Sequence, residues 1–376
     1  MADIRIAVDQ PTFDQWLSSL VVLRQTYLLP LTFTTPVAGI STPPQSALTT
    51  GERLLLDIGR ACSRPDVLDD PGRLFAVFRY ALAISSRHPV LTLSPSYKGL
   101  DTHKKKVLSD EFGCGAAFLI AGELLGANNF LDLETAVAYG LVATTAPRSR
   151  RPDYIAPLNS GRLLVLEAKG NQQSSQYSVQ VQIPKGCDQV SRVAVVAPGD
   201  PQIDQRIVAA TSLSFADWGP NTRTCVGDPP ERELETYTLR ESVEVTARRL
   251  HYLRVAAFLG DTALATVMQG HDATIARLPM VSRSVNDQPY QGSQLTLEAG
   301  GRRLGVFVGI HEHVRRELLS GGTSPLLRQH IHLQTGAKLS TEDLDSFEPS
   351  AADRRHDPET VAAASDGTVW VTWQQS

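Results

Sequence analysis

The sequence predicts an α/β class of fold, and three stretches carry that expectation. Leu163-Leu164-Val165-Leu166 is apolar at consecutive positions, as expected of a strand covered on both faces. Ser109 to Gly126 is an apolar, small-residue-rich run with a helix-capping serine before it and a stopping glycine after it. Arg192 to Pro198 reads as a buried strand ended by proline, preceded by a helical turn that opens at Pro184.

In chain order, residues 1 to 100 are expected to be mostly helical. Phe13 to Leu29, Gly51 to Ala61 and Gly72 to Ser86 are the helical stretches, and Thr32 to Pro44 is a loop or irregular strand. Residues 101 to 230 hold the predicted core, whose far edge is marked by Pro/Gly-rich segments at Ala197 to Pro201 and Gly227 to Pro230. Residues 231 to 376 form an α+β addition. Glu241 to Leu259 is an amphipathic helix, Leu295 to Val308 a hairpin over Gly300-Gly301, and Thr368 to Trp373 a short strand.

The chemistry concentrates between Pro152 and Lys169. Asn159-Ser160-Gly161 is a turn signal, because Asn and Gly accept positive φ at low cost. Folding the chain back at Ser160 sets Leu158 opposite Arg162, Ile155 opposite Val165, and Asp153 opposite Glu167. Opposed residues bring their Cβ atoms to roughly 5 Å. Lys169 shares a face with Glu167, while Ala168 points away. Two carboxylates and an ammonium group therefore converge on one patch of sheet. Like charges placed opposite each other destabilise a sheet. A hard divalent cation relieves that repulsion, since Mg²⁺ takes one or two carboxylates plus waters and phosphates. The plainer reading is a hairpin with solvated charges at its end. The two-faced apolar run leading into Glu167 argues against it.

At these residues the chain resembles the PD-(D/E)xK nuclease superfamily, the restriction-endonuclease-like fold. Pro152-Asp153 matches its first half-motif and Glu167-Ala168-Lys169 its second, within about a quarter of the chain. The resemblance implies a restriction-endonuclease-like core: a helix, a mixed four-stranded sheet, and a second helix before the last strand. It implies a Mg²⁺-dependent endonuclease, with Mn²⁺ an alternative ion, cleaving phosphodiester bonds in DNA. Asp153, Glu167 and the Ala168 carbonyl would hold the metal. Lys169 would orient or deprotonate water, or offset charge in the transition state. A glutamate on the preceding helix often assists in the superfamily. Glu111 is preferred over Glu123, although helix-start electrostatics alone also explains Glu111. Arg148, Arg150 and Arg151 precede the motif and could contact phosphate, as could Gln182, Lys185 and Gln189 after it. Each of these also reads as an ordinary solvated side chain. The superfamily often serves restriction or defence against phage, and many members dimerise or work with partner proteins.

A net charge of −4 does not advertise a nucleic-acid binder, but local patches count for more than the sum. Lys104-Lys105-Lys106 forms one such patch, most simply a solvated charge run. The expected localisation is cytoplasmic, without membrane attachment. No apolar run has the length of a membrane span, the N-terminus lacks the shape of a secretion signal, and the four cysteines are scattered. His311, His313, His330 and His332 sit in two pairs that on strands could ligate Zn²⁺. The helical pattern after His313 favours surface histidines instead. The rival function is a catalytically silent nuclease fold that binds nucleic acid or protein.

Overall fold

The computed structural model describes residues 4–38, 40–62, 80–127, 129–138, 142–144, 146–148, 151–158, 162–172, 176–195, 203–230, 235–239, 243–269, 280–320, 359–363 and 367–375. Its strands in chain order are β1 (Ile4–Ala7), β2 (Thr26–Phe33), β3 (Ser46–Thr50), β4 (Ile84–Ser85), β5 (Thr92–Leu93), β6 (Leu131–Asp132), β7 (Val142–Thr144), β8 (Tyr154–Pro157) and β9 (Leu163–Asn171). They continue with β10 (Val193–Val195), β11 (Ile203–Ser212), β12 (Arg223–Gly227), β13 (Glu235–Leu239), β14 (Met280–Val285), β15 (Gln288–Ala299), β16 (Arg302–His311), β17 (Glu359–Ala363) and β18 (Thr368–Gln375). The α-helices are α1 (Gln10–Leu23), α2 (Gly51–Cys62), α3 (Thr102–Leu125), α4 (Leu133–Ala138), α5 (Gln176–Ser191), α6 (Val243–Leu259), α7 (Thr262–Gln269) and α8 (Glu312–Leu319).

The chain is a mixed α/β protein whose central sheet has seven strands in the order β3-β2-β12-β11-β9-β8-β6. β9 lies inside it, antiparallel to β8 and parallel to β11. Leu163, Leu164, Val165 and Leu166 are all buried, as an apolar run covered on both faces requires. One face receives α3. A Cβ on Gly170 would lie 1.7 Å from the Ser109 carbonyl oxygen, and one on Gly113 would lie 2.7 Å from the Gly170 nitrogen. Helix and strand therefore meet backbone to backbone, which only glycine permits. The opposite face receives α5, where a Cβ on Gly186 would meet Val208 Cγ1 at 2.5 Å.

The sequence misplaces the strand beside β9. Residues 193–195 form a short strand, but it pairs with β13 in a separate three-stranded sheet. The partner of β9 is β11, matched along nine registered positions from Ile203↔Leu163 to Ser212↔Asn171. Asp204, Gln205 and Arg206 disguise the start of β11 as a polar loop. The Arg206 side chain is nevertheless buried and donates to the Val193 carbonyl at 3.1 Å and 3.3 Å, which satisfies its charge inside the fold.

α3 starts seven residues before the expected Ser109. Asp101 caps it by accepting from the Lys104 amide at 2.9 Å, and buried side chains begin only at Leu108. The early turns carry Lys104 to Lys106 and show no apolar stripe to betray a helix. Ser109 instead bonds back to the Lys105 carbonyl at 2.6 Å, inside the helix. The C-terminal stop is as expected, with Gly126 at φ 69°.

The N-terminal stretch is less helical than expected. α1 ends at Leu23, and Thr26 to Phe33 continues as β2, which with β3 extends the central sheet. Its alternating burial is the strand period hidden in Tyr27-Leu28-Leu29-Pro30-Leu31. Of the expected Gly72 to Ser86 helix, residues 72–79 lie outside the described residues, and its end is the strand β4 instead. A second sheet, β1-β15-β16-β18-β17 with β14 on β15, joins the N-terminal strand β1 to the strands of the C-terminal region. Its β15–β16 hairpin turns over Gly300 and Gly301, at φ 55° and 79°, as the sequence predicts, and its register sets Leu297 opposite Leu304. α6 and β18 likewise fall where predicted. Phe13, Leu166, Leu250 and Trp370 belong to one buried hydrophobic cluster, so all three stretches share a core. Among the described residues no helix is long and apolar enough to cross a membrane.

Candidate active site at the end of the β8–β9 hairpin

The hairpin has the register read from the sequence. Tyr154 pairs with Leu166, Ile155 with Val165, and Leu158 donates to the Arg162 carbonyl at 2.7 Å. Continuing one step sets Asp153 against Glu167, and the two interlock through the backbone. The Asp153 amide donates to Glu167 Oε2 at 2.9 Å, and the Ala168 amide donates to Asp153 Oδ2 at 2.9 Å. The Lys169 ammonium donates to Glu167 Oε1. The Asp153 carbonyl accepts from the Leu133 amide at 3.0 Å, which ties the motif to the start of α4. Each acid thus has one oxygen held by an amide.

Glu167 is fully buried, whereas the Lys169 side chain is 27% exposed. The face of β9 carrying both looks toward α5, and a Cβ on Gly186 would stand 3.4 Å from Glu167 Cγ. Burial, reinforced by the Asp153 charge and opposed by Lys169, pushes the Glu167 carboxyl up to about 8. Burial also raises Asp153, against the pull of Lys169 and the Ala168 amide. For Lys169, burial alone would favour the neutral amine. The Glu167 and Asp153 charges outweigh it, so the net direction is upward and the group stays an ammonium at neutral pH.

The neighbouring residues sort differently from the sequence expectation. The Glu111 carboxylate meets the Tyr80 hydroxyl, and Tyr80 packs edge-on to Phe112 at 5.6 Å. The α3 acid whose charge reaches Lys169 is Asp110, one residue earlier. Helical spacing contains the signal. Gly113 faces β9, so Asp110, three positions back, shares that face, while Glu111 turns about 100° away. Glu123 is exposed near the far end of α3.

Arg151 binds Glu134 at 3.0 Å and the Ala146 carbonyl at 2.8 Å, so it braces the approach to the motif. Arg148 also pairs with Glu134, at 3.1 Å, and its side chain is 86% exposed. Arg150 lies outside the described residues. On α5, Gln182 accepts from Asn171 Nδ2 at 3.1 Å and Gln189 donates to the Arg151 carbonyl at 2.9 Å. Both glutamines hold the strand end and the motif loop in place. Lys185 is exposed. His311 caps α8, its Nδ1 accepting from the His313 amide at 3.2 Å, while its other ring nitrogen meets Gln288 Oε1. His330 and His332 lie outside the described residues.

No protein-family model, curated protein or solved structure matches this chain. The donor chemistry must therefore speak for the site. No group of three or more His, Cys, Asp or Glu side chains is placed to hold a metal among the described residues. Two adjacent carboxylates, both raised by burial and so costly to ionise unaided, fit a hard cation that keeps most of its waters.

Proposed function

We propose that this chain is a metal-dependent endonuclease with a restriction-endonuclease-like core, hydrolysing phosphodiester bonds in DNA. The observation that carries the reading is the interlocked set of Asp153, Glu167 and Lys169 at the open end of a central hairpin, with Glu167 buried and raised to about 8. Perturbed carboxylates beside a lysine are characteristic of sites that manage charge during a reaction.

Asp153 and Glu167 would hold Mg²⁺ or Mn²⁺, with the Ala168 carbonyl as a further donor. Such an ion supplies Lewis acidity and a lowered pKa for water. The protein residues then have separable tasks. The amide of Ala168 fixes the Asp153 carboxylate, and the amide of Asp153 fixes Glu167, so neither has to be ordered by substrate. Lys169, held as an ammonium, offsets negative charge on the phosphoryl oxygens and orients a water; it is not a base in this protonation state. Hydrolysis adds water across one P–O bond and needs no covalent bond to the protein. Asp110 and the exposed Arg148 lie at the margins, and restriction or anti-phage defence is the biological setting we propose.

One observation favours the silent-module reading. Lys169 already hydrogen-bonds Glu167, and a carboxyl near 8 stays mostly protonated at neutral pH, so the site is tolerable without an ion. The two readings separate on incubation of the purified protein with plasmid, linear DNA and RNA plus Mg²⁺, with Lys169→Ala and Asp153→Ala in parallel. Cleavage by the native protein alone supports the nuclease. Equal cleavage by all three identifies a contaminant and removes the proposal.

A further inference from the structure

Beyond the reacting centre, the same end of the sheet carries a feature that the motif does not require. β11 runs parallel to β9 and leaves the sheet beside it, the Leu213 amide donating to the Asn171 carbonyl at 2.8 Å. The loop that follows holds Trp218. Its side chain is 42% exposed, the one aromatic among the large exposed apolar side chains of the described residues. Phe215 supports the indole edge-on, with ring centres 4.8 Å apart at 82°. The Lys98 ammonium lies 4.6 Å from the indole centre and pairs with Asp217.

The loop is anchored rather than loose. Ser214 O accepts from the Leu93 amide at 2.8 Å, and Ala216 O meets the His88 ring at 2.8 Å. Lys98 belongs to the single turn Pro95–Gly99, which leads through Asp101 into α3. From there exposed Lys104 and Lys106 follow, and Asp110 couples electrostatically to both Lys106 and Lys169. Lys98, Lys104, Lys106 and Lys169 thus follow one another at this end of the sheet, Lys98 paired with Asp217, Lys104 with Asp101 at 3.3 Å, and Asp110 coupled to the last two. The route from Lys169 to Asn171, across the Asn171–Leu213 hydrogen bond and on to Trp218 spans at most about 30 Å.

We infer that Trp218, with Lys98 beside it, is a stacking platform for an unpaired nucleobase of the substrate strand, the phosphates of that strand following Lys104 and Lys106 toward Lys169. An exposed indole on a rigid support beside a cationic track is the arrangement by which single-stranded nucleic acid is bound without sequence preference. The platform names the substrate class of the proposed nuclease site and rests on that reading.

Binding can be measured without cleavage. Fluorescein-labelled 12-nucleotide DNA and RNA single strands, a DNA duplex, and a DNA strand with abasic central positions are titrated in EDTA at low salt and followed by anisotropy. The native protein is expected to prefer intact single strands to the duplex and to the abasic strand. Trp218→Ala should weaken intact-strand binding by roughly 5- to 100-fold, as loss of one stacked base implies, while Trp218→Phe retains most of it. The other three tryptophans are buried or half-buried. Quenching of native intrinsic fluorescence by the oligonucleotide should therefore disappear in Trp218→Phe even though binding persists, which separates stacking from a folding defect. Equal affinity for intact and abasic strands, or unchanged binding by Trp218→Ala, overturns the platform. The platform is read by binding in EDTA and the nuclease by Mg²⁺-dependent cleavage, so a failed nuclease and a failed platform give different results.

Discussion

A buried carboxyl that titrates at about 8 makes cation binding a proton-releasing event. Between pH 6 and pH 9 the ionised fraction of Glu167 should climb from about one in a hundred to about nine in ten, given its position near 8. A cation that needs the carboxylate should therefore bind about 90-fold more tightly at pH 9 than at pH 6, equivalent to about 3 kcal/mol. Isothermal titration calorimetry with Mg²⁺, repeated in buffers of different ionisation enthalpy, reads both affinity and proton release. The expected release is about 0.9 proton at pH 7 and about 0.1 at pH 9. Glu167→Gln should abolish the release and most of the affinity, because an amide offers one oxygen where the carboxylate has two. An affinity that stays level from pH 6 to pH 9, or binding accompanied by proton uptake, would refute the assignment of Glu167 as the ligand.

The remaining expectations concern the same neighbourhood. Because the folded state holds the Glu167 proton that the unfolded chain releases above its ordinary value of 4.5, metal-free stability should fall as pH rises from about 5 through 8, by roughly a few kcal/mol; thermal melts should show Mg²⁺ reversing the loss and Glu167→Gln flattening it. Gly170→Ala places a Cβ 1.7 Å from the Ser109 carbonyl oxygen and should cost about 3 kcal/mol or more, read by urea unfolding. Asp110→Asn should lower Mg²⁺-dependent cleavage by about tenfold through its loss of charge opposite Lys169, whereas Glu111→Gln should leave cleavage within about twofold; the reverse order would restore Glu111 to the site.

The sequence discloses the hairpin well because two independent signals agree there. The Asn-Ser-Gly turn sets the register, and the unbroken apolar run of β9 announces burial on both faces. That register was enough to bring Asp153 and Glu167 together. It could not show that each acid is pinned by the other's backbone, or that Lys169 folds back onto Glu167, because such contacts depend on rotamers rather than spacing. β11 was hidden by Arg206, a charge that looks like solvent exposure until Val193 supplies its partner. The early turns of α3 were hidden by their lysines. The sequence weighed Glu111 against Glu123; that Asp110 is the α3 acid coupled to Lys169 depends on helical phase, which is fixed only once Gly113 is known to face the sheet.

The glycine contact between α3 and β9 also sets a limit on motion. With no side chains between them, the two backbones have nothing soft to compress, and sliding one past the other would drive main-chain atoms together. The backbones that carry Asp110 and Lys169 therefore hold one spacing. Any accommodation of a bulky ligand has to come from the opposite wall, where Gly186 leaves α5 resting on side chains that can rotate aside.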